Sequence, residues 1–228
     1  MAPKVITVLN QKGGPGKTTV VATLAAALAD AHLNVLAVDA DSQKTLIRWS
    51  EAADEASERG SGQSFPFTVT ATVDPTFLRR LPTTDFDAVL IDMPGSFELQ
   101  RDLLEAVTDV SDLAIIPVEL DANAVEPLLR TIKGVLAPKG VPYRCLLNKI
   151  DMREGPSAPH NAASSLDGAG LARFRTHIRH YKAYKQATNA RQIVTQISNG
   201  NADKASEDFS KLAVEMLGTW DTITAKGA

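Results

Sequence analysis

The 228-residue chain has one cysteine, Cys145. That excludes an internal disulfide framework and fits a reducing cytosol. Cys145 lies in the apolar run from Tyr143 to Leu147, a setting that predicts a buried structural thiol. No apolar stretch approaches the roughly 18 residues that cross a bilayer, and no apolar signal segment precedes Lys4. Both absences predict a cytosolic protein. The four histidines, His32, His160, His177 and His180, show neither metal-ligand spacing nor the arrangement of a nucleophilic triad. Acidic residues are missing from one window, between Asp167 and Asp203, which carries Arg173, Arg175, Arg179, Lys182, Lys185 and Arg191. The net charge of -3 therefore conceals a segregation of charge: the rest of the chain sets 18 bases against 27 acids.

What is present is a regular alternation. Val5-Ile6-Thr7-Val8-Leu9, Val35-Leu36-Ala37-Val38, Ala88-Val89-Leu90-Ile91, Leu113-Ala114-Ile115-Ile116-Pro117-Val118 and Tyr143 to Asn148 read as strands. Phe67 to Ala71 and Phe174 to Ile178 read as two more. Continuous apolar runs, rather than period-two alternation, point to a parallel sheet covered on both faces. Helical patterns fall between the strands: Val20, Val21, Leu24 and Leu28; Thr45 to Glu58; Asp74 to Leu81; Leu99, Leu103 and Val107; Val125 to Leu136; and Phe209 to Leu217. The expected fold is α/β, a single doubly wound, mostly parallel sheet with helices on both faces, in one domain over residues 1–228. Residues 153–170, rich in Ser, Ala, Pro and Gly, are expected to form a surface loop. Residues 173–191 form a basic segment within the domain.

The first strand leads into Asn10-Gln11-Lys12-Gly13-Gly14-Pro15-Gly16-Lys17-Thr18-Thr19 and then a helix. Strand, glycine-rich loop, Lys-Thr and helix is the arrangement that cradles nucleotide phosphates on backbone N–H groups and a helix N-terminus. Lys17 would serve the outer phosphates, and the Thr18 hydroxyl would sit on Mg²⁺. A strict Walker A motif would place Gly where Gln11 stands. The lysine at Lys12 beside paired glycines resembles instead the deviant Walker A motif of the ParA/MinD family of ATPases, and Thr45-Leu46-Ile47-Arg48-Trp49-Ser50 is similar to small partition proteins of the ParA and ParF type. The resemblance implies a P-loop ATPase using ATP and Mg²⁺, with Gly13, Gly14, Pro15, Gly16, Lys17, Thr18 and Thr19 around the nucleotide. It implies that Lys12 acts across a dimer interface on the partner's nucleotide. Pro15 departs from most relatives because it has no N–H to offer. The single cysteine argues against the family's iron–sulfur and arsenite-handling members.

Asp92 closes a buried strand, as a Walker B aspartate holding Mg²⁺ through water would. Asp39 and Asp41 resemble the family's D-x-D segment, with Asp39 near the metal shell and Asp41 orienting the attacking water; capping of the next helix is the alternative for Asp41. Ser42-Gln43 stands where the family usually has Pro-Gln. Asn148 follows a strand at the position where relatives contact adenine. Asn148-Lys149-Ile150-Asp151 also matches the N-K-x-D guanine signature of GTPases, and leaves a GTPase switch as an alternative.

The basic window would neutralise phosphates without reading sequence. Taken together, the resemblance implies a cytoplasmic, nucleoid-associated partition ATPase that dimerises on ATP, binds DNA non-specifically and is stimulated by a ParB-type centromere-binding protein. A MinD-like membrane-cycling regulator is the other alternative. It requires a basic amphipathic C-terminal helix, and Thr219 to Ala228 supplies one lysine, Lys226.

Overall fold

The computed structural model describes residues 2–11, 14, 16–96, 100–119 and 125–224, with side chains to residue 220. Lys12, Gly13, Pro15, Leu99 and Lys226 lie outside the described residues. The six strands are β1 (Lys4–Val8), β2 (Val35–Asp39), β3 (Thr68–Ala71), β4 (Ala88–Asp92), β5 (Leu113–Val118) and β6 (Tyr143–Leu147). They form one sheet in the order β3-β2-β4-β1-β5-β6, and every pair is parallel. Parallel neighbours need crossovers, and the alternating helices supply them. Strand β1 is flanked by β4 and β5, so the loops leaving β1, β2 and β4 gather at one carboxyl edge. Ligands bind at that edge in sheets of this kind.

The pleat explains why the strand runs are apolar throughout. Val5 and Leu9 pack on one face with Val89, Ile91 and Leu103, while Ile6 and Val8 pack on the other with Leu24, Leu90 and Leu212. The inner strands β1, β2, β4 and β5 thus bury both rows of side chains, whereas the edge strand β3 is partly exposed. Helix α1 (Lys17–Asp30) is covered almost entirely, wedged between the sheet and the C-terminal helix α8 (Gly200–Thr224). Its alanines, Ala22, Ala25 and Ala26, let those layers approach closely. On the opposite face lie α3 (Pro75–Arg79) and α4 (Arg101–Val110). Helix α2 (Thr45–Glu58) follows β2 and precedes β3. Helix α5 (Val125–Thr131) continues as a π-helical turn to Leu136. Cys145 is buried, and burial pushes its thiol up to about 12, which makes it inert.

Two expectations need correction. Residues 153–170 are not a loop throughout: helix α6 spans Ala158–Gly168, with Pro159 in its first turn. Ala158, Ala162 and Ala163 pack with Leu166 against the core, so alanines carry the helical period where larger apolar residues are scarce. Phe174 to Ile178 is not a regular strand. Isolated bridges at Cys145–Arg173 and Ile150–Arg179 flank it, and the Phe174 and Ile178 N–H groups donate to the Cys145 and Leu147 carbonyls of β6 at 2.9 and 2.8 Å.

The basic window is held by acids that lie outside it in the chain. Arg173 forms a two-pronged pair with Asp167 at 2.8 Å through both Nε and Nη2. Arg179 grips Asp208 of α8, with Nη2 at 2.6 Å from Oδ1 and Nε at 3.0 Å from Oδ2. Asp208 also accepts the Arg179 backbone N–H and is only 4% exposed. Arg191 approaches Glu55 at 4.0 Å. Arg175, Lys182 and Lys185 are exposed and have no ion pair among the described residues. Helix α7 (Lys182–Asn189) carries the last two.

Removing one partner of a buried, bidentate pair strands the other charge. Asp208→Ala should therefore lower unfolding free energy by about 3 kcal/mol, measured by chemical denaturation.

Candidate active site

Three strand ends build the site. Register places Val8 of β1 beside Asp92 of β4, and Asp92 beside Asp39 of β2. Two carboxylates thus end neighbouring strands at the same level, both 1% exposed. They are satisfied very differently.

Asp39 is covered by backbone. Its Oδ1 accepts the Asp41 N–H at 3.1 Å, and its Oδ2 accepts the N–H groups of Leu46 at 2.8 Å and Ile47 at 3.1 Å. Those last two are orphan donors of the first turn of α2, whose cap residue Lys44 makes no side-chain cap bond. Helix capping, the alternative considered for Asp41, is thus performed by Asp39. Asp41 is half-buried, and its Oδ1 accepts the Gln43 N–H at 2.9 Å.

Asp92 has one hydrogen bond, from the Thr18 hydroxyl to Oδ2 at 2.7 Å. Its Oδ1 is buried and has no hydrogen-bond partner among the described residues. Burial pushes the Asp92 carboxyl up to about 7; the Thr18 hydroxyl and the Lys17 ammonium pull it down, and the Asp39 charge adds to the rise. An orphaned buried carboxylate oxygen beside a threonine hydroxyl is a donor set that a hard divalent cation fits. Among the described residues no three His, Cys, Asp or Glu side chains converge. A magnesium ion would therefore complete its shell with phosphate and water oxygens, as this ion prefers.

Lys17 opens α1, and its Nζ donates to the Asn10 carbonyl at 3.3 Å. Burial lowers its pKa, opposed by the charges of Asp92 and Asp41. Asn10 is itself pinned by Nδ2 donating to the Pro117 carbonyl at 2.7 Å. Gly16, the cap of α1, has φ 85° and needs glycine twice over: a Cβ there would lie 2.9 Å from Asn148 Nδ2. The first turn of α1 consequently presents its free N–H groups and two hydroxyls, Thr18 and Thr19, at the sheet's carboxyl edge. Gly14 also has positive φ, at 89°.

Beside this turn opens a pocket of about 450 Å³ lined by Gly16, Thr19, Val20, Asn148, Tyr181 and Tyr184, among others. Lys182, Lys185, Gln186 and Asn189 line it too, at the i, i+3, i+4, i+7 spacing of one face of α7. The α7 lysines of the basic window thus stand at the rim of this pocket, a placement that their sequence did not announce. Asp151 does not line it. Its carboxylate accepts the side chain and backbone N–H of Arg153, a pairing that lowers its pKa to about 2. The aspartate that would read guanine is turned elsewhere.

The structure brings together Lys17, Thr18, Thr19, Asp39, Asp41, Asp92 and Asn148. Lys12, Gly13 and Pro15 lie outside the described residues. Arg173 and Arg179, assigned with the DNA-contacting set, are committed to Asp167 and Asp208. Sequence reasoning missed Lys149, whose ammonium donates to the Gly14 carbonyl at 2.6 Å. Its only signal was the motif around Asn148.

Comparison with known proteins agrees with this architecture. The model of the CobQ/CobB/MinD/ParA nucleotide binding domain matches residues 6–219. Maintenance of carboxysome distribution protein A of Gloeobacter kilaueensis is 32% identical over 219 residues, spanning 96% of each chain. Among solved structures, an ATP complex of a McdA variant from Cyanothece superposes with TM-score 0.72 at 20% identity, over 95% of this chain and 97% of that one. A putative plasmid partition protein of Borrelia burgdorferi bound to AMPPNP gives 0.70 at 15% identity, over 93% and 99%. The last two show the shared fold, and the first two show the family. The chain belongs to the CobQ/CobB/MinD/ParA nucleotide-binding family and is a ParA/MinD-type ATPase.

Proposed function

We propose that the protein is a positioning ATPase of the ParA kind: it hydrolyses ATP with Mg²⁺, closes into a dimer on ATP, and holds to DNA without regard to sequence. The observation that carries the hydrolytic core is the Thr18–Asp92 pair next to Lys17, with an Asp92 oxygen left unpartnered at the sheet's carboxyl edge. Thr18 and, through water, Asp92 would hold the cation. A bound Mg²⁺ would neutralise phosphate charge as the terminal phosphoryl group transfers to water. Lys17 would bind the outer phosphates and Asp41 would orient the attacking water. Lys12 would reach the nucleotide of the second subunit. The 450 Å³ pocket beside Asn148 is sized for a nucleoside, and the placement of Asp151 outside its lining favours adenine over guanine.

The surface for DNA rests on Arg175, Lys182 and Lys185, the exposed members of the basic window, with Arg191 near by. Arg173 and Arg179 would support that surface rather than touch phosphate. The cargo is either DNA, carried by a ParB-type centromere-binding partner, or a protein body. The relative at 32% identity, a maintenance protein for carboxysome distribution, favours the protein body.

Three measurements test this reading. Lys12→Ala should keep nucleotide binding but lose ATP-dependent dimerisation and most turnover; light scattering with and without ATP decides, and a normal ATP dimer would refute the role in trans. Because Asp92 carries its proton below about pH 7, Mg²⁺ must compete with that proton as pH falls. The half-saturating Mg²⁺ concentration should rise about fivefold from pH 7 to pH 6, and a flat pH profile in Mg²⁺ titrations of hydrolysis would sink the assignment. Arg175→Glu should weaken DNA binding equally on unrelated duplexes and lower the slope of affinity against salt by about one. Sequence-dependent losses in a filter-binding series would contradict non-specific attachment.

A further inference from the structure

The run from Asn148 to Asp151 lies beside the loop after β1, and the roles assigned above leave Lys149 unused. Its backbone is left-handed, with φ 56°. A lysine holds that conformation only where its surroundings enforce it. The enforcement is visible. Nζ donates to the Gly14 carbonyl at 2.6 Å and to the Glu119 carboxylate at 2.9 Å. The side chain passes the helix cap closely, with Cε 3.9 Å from where a Cβ on Gly16 would stand. One ammonium therefore joins the ends of β5 and β6 to the loop that follows β1.

The Gly14 carbonyl belongs to the peptide unit that precedes Pro15, and that unit has no N–H. A loop of this kind holds anions by turning N–H groups toward them. This unit can offer a phosphate only its oxygen, the repelling end of the dipole. An ammonium 2.6 Å away commits that oxygen and compensates its partial negative charge. Glu119 balances the same ammonium, so its charge is spent within the protein.

We propose that Lys149 is a positioning residue for nucleotide binding, one that keeps the Gly14 carbonyl out of the phosphates' path, and that Glu119 anchors it. The proposal rests on the reading of residues 12–19 as the phosphate loop.

The test measures ATP affinity with a fluorescent ATP analogue, and turnover at saturating ATP, in wild type, Lys149→Met, Lys149→Arg, Glu119→Gln and Lys17→Ala. Lys149→Met should weaken ATP binding about tenfold while changing turnover at saturation by less than about twofold, the signature of lost binding shared by ground and transition states. Lys149→Arg, which keeps charge and donors, should recover affinity to within about threefold of wild type. Glu119→Gln should weaken binding by about threefold, because it loosens the anchor. If Lys149 instead touched the nucleotide directly, Glu119→Gln would free a cation and tighten ATP binding. Tighter binding in that variant, or unchanged affinity in Lys149→Met, overturns the proposal; should Lys149→Met fail to fold, the sign of the Glu119→Gln effect decides alone. Full ATP affinity in Lys17→Ala would overturn the phosphate-loop reading itself, so the two failures are distinguishable.

Discussion

Two carboxylates, Asp39 and Asp92, end adjacent parallel strands in register and are both buried. Like charges in low dielectric repel, and each alone is costly to desolvate. The structure relieves this asymmetrically. Asp39 is enclosed by three backbone N–H groups, two of them from the first turn of α2, so its charge is dispersed into that helix. Asp92 has only Thr18 as a hydrogen-bond partner among the described residues, and burial drives it toward neutrality. One carboxylate thus builds the fold, and its neighbour keeps an oxygen without a hydrogen-bond partner among the described residues.

Charge elsewhere is organised by packing rather than by sequence neighbourhood. The window from Arg173 to Arg191 is free of acids along the chain, yet Asp167, Asp208 and Glu55 reach it in space. Glu215 of α8 also caps the backbone N–H groups of Arg175 and Thr176 at 2.7 and 2.8 Å. Arg179 is therefore a pin between α8 and the segment after β6, and Arg173 ties that segment to the end of α6. Helix α7 is the exception: the face that bears Lys182 and Lys185 borders the pocket beside Asn148. Two exposed lysines without an ion pair among the described residues thus stand on a wall of that pocket.

The end of β6 shows how one motif can divide. Asn148 sits against Gly16 and Lys149 reaches Gly14, while Asp151 turns to Arg153. Spacing alone matched a guanine reader. With Lys149 in a left-handed conformation, the first two side chains meet the glycine-rich loop after β1, while the aspartate pairs with Arg153 outside the pocket that Gly16 and Thr19 line.

By itself the sequence determined the six strands of the sheet, their parallel arrangement, the glycine-rich loop and the aspartates at the strand ends, though it added a seventh strand at Phe174 to Ile178. Those properties are written locally, in apolar runs of strand length and in residues whose chemistry belongs to one place in a βα turn. It misread residues 158–168, because alanine carries the helical period too quietly to be counted as apolar. It could not say which strand-end aspartate would cap a helix and which would stay open, nor which arginines were already spent. Those choices depend on register between strands far apart in the chain, and on which distant acid a long side chain meets once α8 has packed. Only the tertiary structure decided them, because a charge is satisfied by neighbours in space and sequence specifies neighbours only along the chain.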